Sequence, residues 1–129
     1  MKNKTDIFRD DLWTLASFIS EENDSFSAMV KFNTLHRIFE VHFPGSPIVP
    51  GACIVQIATE LMSHNLACPM VLSEAKNIKF INLINPLQFN EVEFAFRLRR
   101  HDDNSTGATI SVCRGENVFV KISATFRKV

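Results

Sequence analysis

Between His42 and Gly51 the chain places three prolines, Pro44, Pro47 and Pro50, within seven residues, together with Gly45 and Gly51. Each proline fixes φ and removes a backbone donor, so neither a helix interior nor a central strand runs through this stretch. It is a stiff loop, and it separates two segments that are written in different periods. Directly after it, Ile54, Ile57, Ala58, Leu61 and Met62 recur at helical spacing. That spacing predicts a helix over residues 52–66, about 22 Å long at 1.5 Å per residue. Pro50 and Gly51 open the helix, and Pro69 prevents its continuation.

Elsewhere the period is two. Leu12–Ile19 and Ser25–Phe32 are rich in β-branched and aromatic residues, and the polar cluster Glu21-Glu22-Asn23-Asp24 between them predicts a hairpin turn. Downstream, Ile78 and Phe80 begin a series of strands that continues with Val92, Phe94, Phe96 and Leu98, then Ile110 and Val112, then Val118 to Phe126. Turn signals fall at Asn85-Pro86, from His101 to Gly107, and at Arg114-Gly115-Glu116-Asn117. The expected architecture is α+β: one long helix wrapped by an antiparallel sheet of about five or six strands. With 129 residues and 46% hydrophobic composition, residues 1–129 read as a single domain.

Charge excludes some function classes. Lys+Arg and Asp+Glu are equal at 14 each, which argues against nucleic acid as a partner. No apolar run approaches the length of a membrane span, and the first residues contain no apolar stretch of signal-peptide type, so a cytoplasmic protein away from the membrane is expected. Cys53, Cys68 and Cys113 have neither disulfide-framework nor zinc-ligand spacing and read as buried or partly buried thiols. Charge is uneven along the chain: residues 1–75 carry five basic and nine acidic side chains, and residues 76–129 carry nine and five. The basic half reads first as a solvated strand surface, and second as a face that steers an acidic partner.

The densest signal is His42-Phe43-Pro44-Gly45-Ser46-Pro47-Ile48-Val49-Pro50-Gly51 followed by the helix. This segment resembles the HFPGxPxxPG motif of the hot-dog-fold (3R)-hydroxyacyl-acyl carrier protein dehydratases. Further on, Lys79-Phe80 and Pro86 resemble that family's basic-Phe and Pro-Gly-Asp segment, although Leu87-Gln88 stands in place of Gly-Asp and Leu83 in place of a proline.

The resemblance implies a reaction with three physical requirements. A base must remove a proton α to a thioester, and neutral imidazole suits that task; His42 stands at the position of the catalytic histidine. The developing enolate oxygen needs donors already in place, and backbone N–H groups at a helix N-terminus supply them. Gly51 matches the glycine whose N–H faces the thioester carbonyl, and Phe43, Pro50 and Ala52 beside it are the other implied substrate contacts. An acid must protonate the departing 3-hydroxyl. The family carries Glu or Asp at that place, whereas this chain has Gln56, whose amide binds a hydroxyl but does not donate a proton as a carboxylic acid does. Glu60 lies one helical turn on, as if acid and amide were exchanged, and is the candidate replacement for the missing acid; its simpler reading is an i,i+4 ion-pair or hydrogen-bond partner of His64.

The expected activity is therefore that of a hydro-lyase on acyl thioesters of fatty-acid or related acyl or polyene synthesis, impaired or partner-dependent because of Gln56. The implied partners are an acyl carrier protein bearing a 3-hydroxyacyl chain and a second hot-dog subunit. That subunit is another copy or a paralogue, with a higher oligomer as an alternative; no cofactor and no metal are called for. Two further readings remain: a hot-dog acyl thioesterase relying on Glu60, and a non-catalytic acyl-carrier-protein-binding subunit. Twelve Phe and no Tyr read as core filling first, and as the wall of an acyl tunnel second.

Overall fold

The computed structural model describes residues 12–129. The elements are β1 (Trp13–Glu21), β2 (Ser25–Phe32), α1 (Ile38–Val41), α2 (Gly51–Leu66), β3 (Met70–Phe80), β4 (Glu91–Arg100), β5 (Ser105–Arg114) and β6 (Asn117–Lys128). All six strands form one antiparallel sheet in the order β1-β2-β4-β5-β6-β3. The hairpin between β1 and β2 turns through Asn23 and Asp24, both with positive φ (62° and 58°), a conformation these two residue types tolerate well.

Alternation decides which side of the sheet is dry. Phe26, Ala28 and Val30 on β2, Val92, Phe94 and Phe96 on β4, and Ile110 and Val112 on β5 all point inward. The Phe26 and Phe96 rings stack with centroids 4.1 Å apart, as cross-strand partners. Against this face lies α2, whose buried residues Cys53, Ile54, Ile57, Ala58, Leu61 and Met62 recur every three or four positions. Helix and sheet residues belong to one continuous apolar cluster. This is the hot-dog arrangement, one helix wrapped by the sheet, as the sequence pattern predicts.

α2 ends where Ala67 enters the left-handed region (φ 54°), and its N–H and that of Cys68 close back on His64 O and Ser63 O. Pro69 follows at once.

Three features depart from the sequence expectation. The four-residue helix α1 is too short to show a period. β3 begins at Met70 rather than near Ile78, because register shifts at Leu72/Glu74 and Ala75/Asn77 break the alternation that would reveal it. β5 begins at Ser105, inside the stretch assigned to a turn, since the Asp102 side chain accepts from the N–H groups of Asn104 and Ser105 and compresses the loop to a few residues. Most of the Phe side chains are core: Phe26, Phe32, Phe39, Phe94, Phe96, Phe119 and Phe126 are buried, and Phe43 and Phe80 are exposed. No helix among the described residues is long and apolar enough to cross a membrane.

Candidate active site

His42 sits immediately after α1 and donates its backbone N–H to Ile38 O (2.9 Å), so the short helix fixes where the imidazole begins. The His42–Phe43 peptide is cis. A tight turn follows, in which Phe43 and Ser46 exchange backbone hydrogen bonds across Gly45 (φ 77°). The chain then doubles back, with Ile48 N donating to His42 O (2.8 Å) and Val49 N to Ile84 O (2.9 Å). The proline-braced loop is thus tied both to itself and to the segment after β3. The imidazole is half-buried and stands edge-on to Phe43, with ring centroids 5.4 Å apart.

The loop ends by opening α2. Pro50 is extended (φ −62°, ψ 144°) and its carbonyl receives the N–H groups of Cys53 and Ile54. The preceding two donors, Gly51 N–H and Ala52 N–H, have no acceptor among the described residues. They are unpaired donors at the positive end of a 16-residue helix, which suits an oxyanion. The Phe80 ring lies directly on Gly51: a Cβ there would stand 2.7 Å from Phe80 Cζ and 2.9 Å from Cε1. His42, Phe43, Pro50, Gly51, Phe80 and Leu83 are among the residues lining a largely apolar cavity of about 280 Å³. His42 and three of the four implied substrate contacts are thereby brought together, and Ala52 is exposed outside this cavity.

Gln56 and Glu60 lie elsewhere. They line a second cavity, of about 770 Å³, between the outward face of α2, the start of β3 and Val129, and no residue is common to the two linings. No Phe is among the described residues that line it, so the expected Phe-walled tunnel is not what flanks Gln56. Glu60 Oε2 accepts from Trp13 Nε1 (3.0 Å), and its Oε1 accepts from Gln56 Nε2 (3.5 Å). The expected Glu60–His64 pairing does not form; the His64 ring packs edge-on against Phe18, centroids 4.9 Å apart. The indole of Trp13, 47 residues away in sequence, is the partner that helical spacing does not reveal.

Of the cysteines, Cys53 is buried on the core side of α2, and burial pushes its thiol above the ordinary value. Burial, then the neighbouring Glu93 carboxylate, raises Cys113.

Residues 19–118 match the family of ApeI-like dehydratases, described as the ApeI dehydratase. The chain belongs to this family. No curated protein sequence matches it. Among solved structures it is similar to the ApeI:P dehydratase heterocomplex from Xenorhabdus doucetiae (TM-score 0.70, 12% identity, covering 90% of this chain and 98% of that one). An uncharacterized protein from Erwinia carotovora superposes equally well (TM-score 0.70, 16% identity, 92% and 98% covered). A mutant thioesterase from Pseudomonas aeruginosa follows at TM-score 0.61 and 17% identity, with 87% and 79% covered. At these identities the superpositions establish the hot-dog fold, while membership of the dehydratase family rests on the sequence match.

Proposed function

We propose that this chain takes part in dehydrating 3-hydroxyacyl thioesters carried on an acyl carrier protein, at a site assembled from two hot-dog subunits. The observation that carries the reading is the separation of the parts. The base and the helix N-terminus share one cavity, and Gln56 and Glu60 face a different one. A reaction that needs all of them within hydrogen-bond reach is served when the His42 loop of one subunit covers the outward face of α2 on another.

The surface supports such pairing. Among the described residues, β3, an eleven-residue strand at one edge of the sheet, has no strand partner on one side of its ladder. At the end of β3 and just past it, Phe80, Ile81 and Leu83, with Phe43 of the His42 loop, are large apolar side chains 43–71% exposed, which is an association surface rather than a solvated one.

In this reading the thioester carbonyl lies at the free N–H groups of Gly51 and Ala52, which lower the cost of removing the α-proton by stabilising the enolate. His42 takes that proton, the C–H electron pair becomes the new C=C bond, the C3–O bond breaks, and the departing hydroxide is protonated to water. Gln56 cannot supply this last proton. It comes from Glu60 or from a carboxyl group on a paralogous partner subunit.

The test is incubation of the protein with a (3R)-hydroxyacyl thioester on acyl carrier protein, alone and with a paralogous hot-dog subunit, followed by mass spectrometry. Enoyl product in either case supports the reading. Free thiol release without enoyl product identifies a thioesterase instead, and binding without turnover in both mixtures identifies a non-catalytic subunit.

A further inference from the structure

His42 is approached from β2 through α1, and α1 is a single turn of four residues. A lone turn orders several residues for one or two hydrogen bonds, so it persists only where its ends are tied down. Its far end is His42 itself, whose N–H reaches Ile38 O (2.9 Å), and buried Phe39 anchors its middle. Its near end is held by a side chain: Ile38 N–H, the first of the helix, donates to His36 Nδ1 (3.0 Å). Asn33 acts alike one step earlier, its Oδ1 accepting from Leu35 N–H (3.0 Å), and His36 N–H returns to Asn33 O (3.1 Å). Both side chains reach two residues forward, the span of an Asx turn. The bond to Ile38 also fixes the His36 ring: a backbone N–H only donates, so Nδ1 must carry the lone pair and the ring proton must sit on Nε2.

We propose that His36 is a positioning residue for His42: its Nδ1 caps α1, and Ile38, bonded to His36 through its N–H and to His42 through its C=O, passes the constraint on. This assignment rests on the functional reading above, in which His42 takes the α-proton, and deepens it by giving the placement of that base to a second imidazole. Histidine is not among the usual capping residues. Here the half-buried ring does two things at once, accepting from Ile38 N–H and standing edge-on to Phe39 with centroids 6.5 Å apart. Proton transfer tolerates little displacement of the base, so slack at the start of α1 becomes slack at His42 and lowers turnover.

The experiment uses two variants that divide the ring's roles. His36→Phe keeps an aromatic ring beside Phe39 and removes the acceptor, and His36→Asn keeps an acceptor at the two-residue span and removes the ring. Enoyl formation is measured under the subunit composition in which the wild type turns over. Amide hydrogen exchange at Ile38 and His42, and nitrogen NMR shifts of the imidazole rings, are measured on the free protein. His36→Phe is expected to lower kcat about tenfold, the weight of one lost cap. KM should not change, because the N–H groups of Gly51 and Ala52 that receive the carbonyl are untouched. Exchange at both amides should quicken about tenfold, and His36→Asn should restore both turnover and protection. In the wild type, Nδ1 of His36 should resonate as an unprotonated nitrogen. A ring that serves packing alone gives the opposite order, with His36→Phe harmless and His36→Asn impaired.

That opposite order overturns the proposal, as does unchanged exchange at Ile38 and His42 in His36→Phe, or a proton on Nδ1 in the wild type; each leaves the functional reading standing. Quickened exchange with undiminished turnover also overturns it, since His42 then works without the cap. Absence of turnover by the wild type, alone and with a paralogous subunit, overturns the functional reading instead. The exchange and ring shifts need no substrate, and in that case they decide whether His36 holds His42 in place.

Discussion

Gly51→Ala separates what the helix N-terminus does for stability from what it does for chemistry. The added methyl would stand 2.7 Å from Phe80 Cζ, about 0.7 Å inside the 3.4 Å at which ordinary contact begins. The obstacle is the far end of a ring that is 52% exposed, so it yields by rotating, at a cost of about 0.5–1.5 kcal/mol for leaving its preferred rotamer. Against this stands the entropic advantage of Ala over Gly in a helix, about 0.5–1 kcal/mol.

The two nearly cancel, and the melting temperature is expected to move by no more than about 4 °C in thermal unfolding. Turnover is expected to fall far more, by about 10²-fold or greater, because the methyl and the displaced ring crowd the free N–H groups at which the carbonyl must sit. The assay is enoyl formation by mass spectrometry under whichever subunit composition supports turnover. Phe80→Ala in the same background then removes the displaced ring, and activity should stay low because the methyl added at position 51 still crowds the N–H groups. Full activity in Gly51→Ala would refute the placement of the thioester at this helix end.

Three further outcomes are expected. His42→Ala should lower enoyl formation by about 10²–10⁴-fold, the ordinary share of a general base, with unchanged thermal unfolding; undiminished turnover would remove His42 from the mechanism. Ala67→Gly should stabilise the chain by about 1 kcal/mol in urea titration, because Ala67 holds φ 54° at the end of α2 and glycine adopts that conformation without strain. Cys53 and Cys113, both held above the ordinary thiol value, should react with iodoacetamide at pH 8 more slowly than a free cysteine. Their rates should rise as pH increases through 9 and equalise with the free thiol once the chain is unfolded; fast labelling of folded protein would contradict their burial.

Local chemistry wrote much of this protein in readable form. The prolines of residues 44–50 permit no regular structure, and the three-to-four spacing from Ile54 to Met62 permits a helix with one buried face, so loop and helix were legible with no tertiary information. The same holds for β4, where buried and more exposed positions alternate from Glu91 to Arg97, and for β6 from Lys121 to Phe126. β3 was not legible over its first half, because two register shifts at the edge of the sheet erase the alternation, and edge position is a property of the whole sheet. The histidine, the loop and the helix N-terminus could be assigned to one place because they are adjacent in sequence.

What tertiary structure decided is which groups share a cavity. Gln56 lies only five residues beyond Gly51, yet 100° of rotation per residue and the wrap of the sheet carry it to a different face and a different cavity. Glu60 takes its partner from β1, where Trp13 is brought to it by strand pairing, rather than from His64 one turn along the helix. Periodicity fixes which side chains share a face of their own element; only the packing of element against element fixes what stands opposite, and a hydrogen bond depends on that.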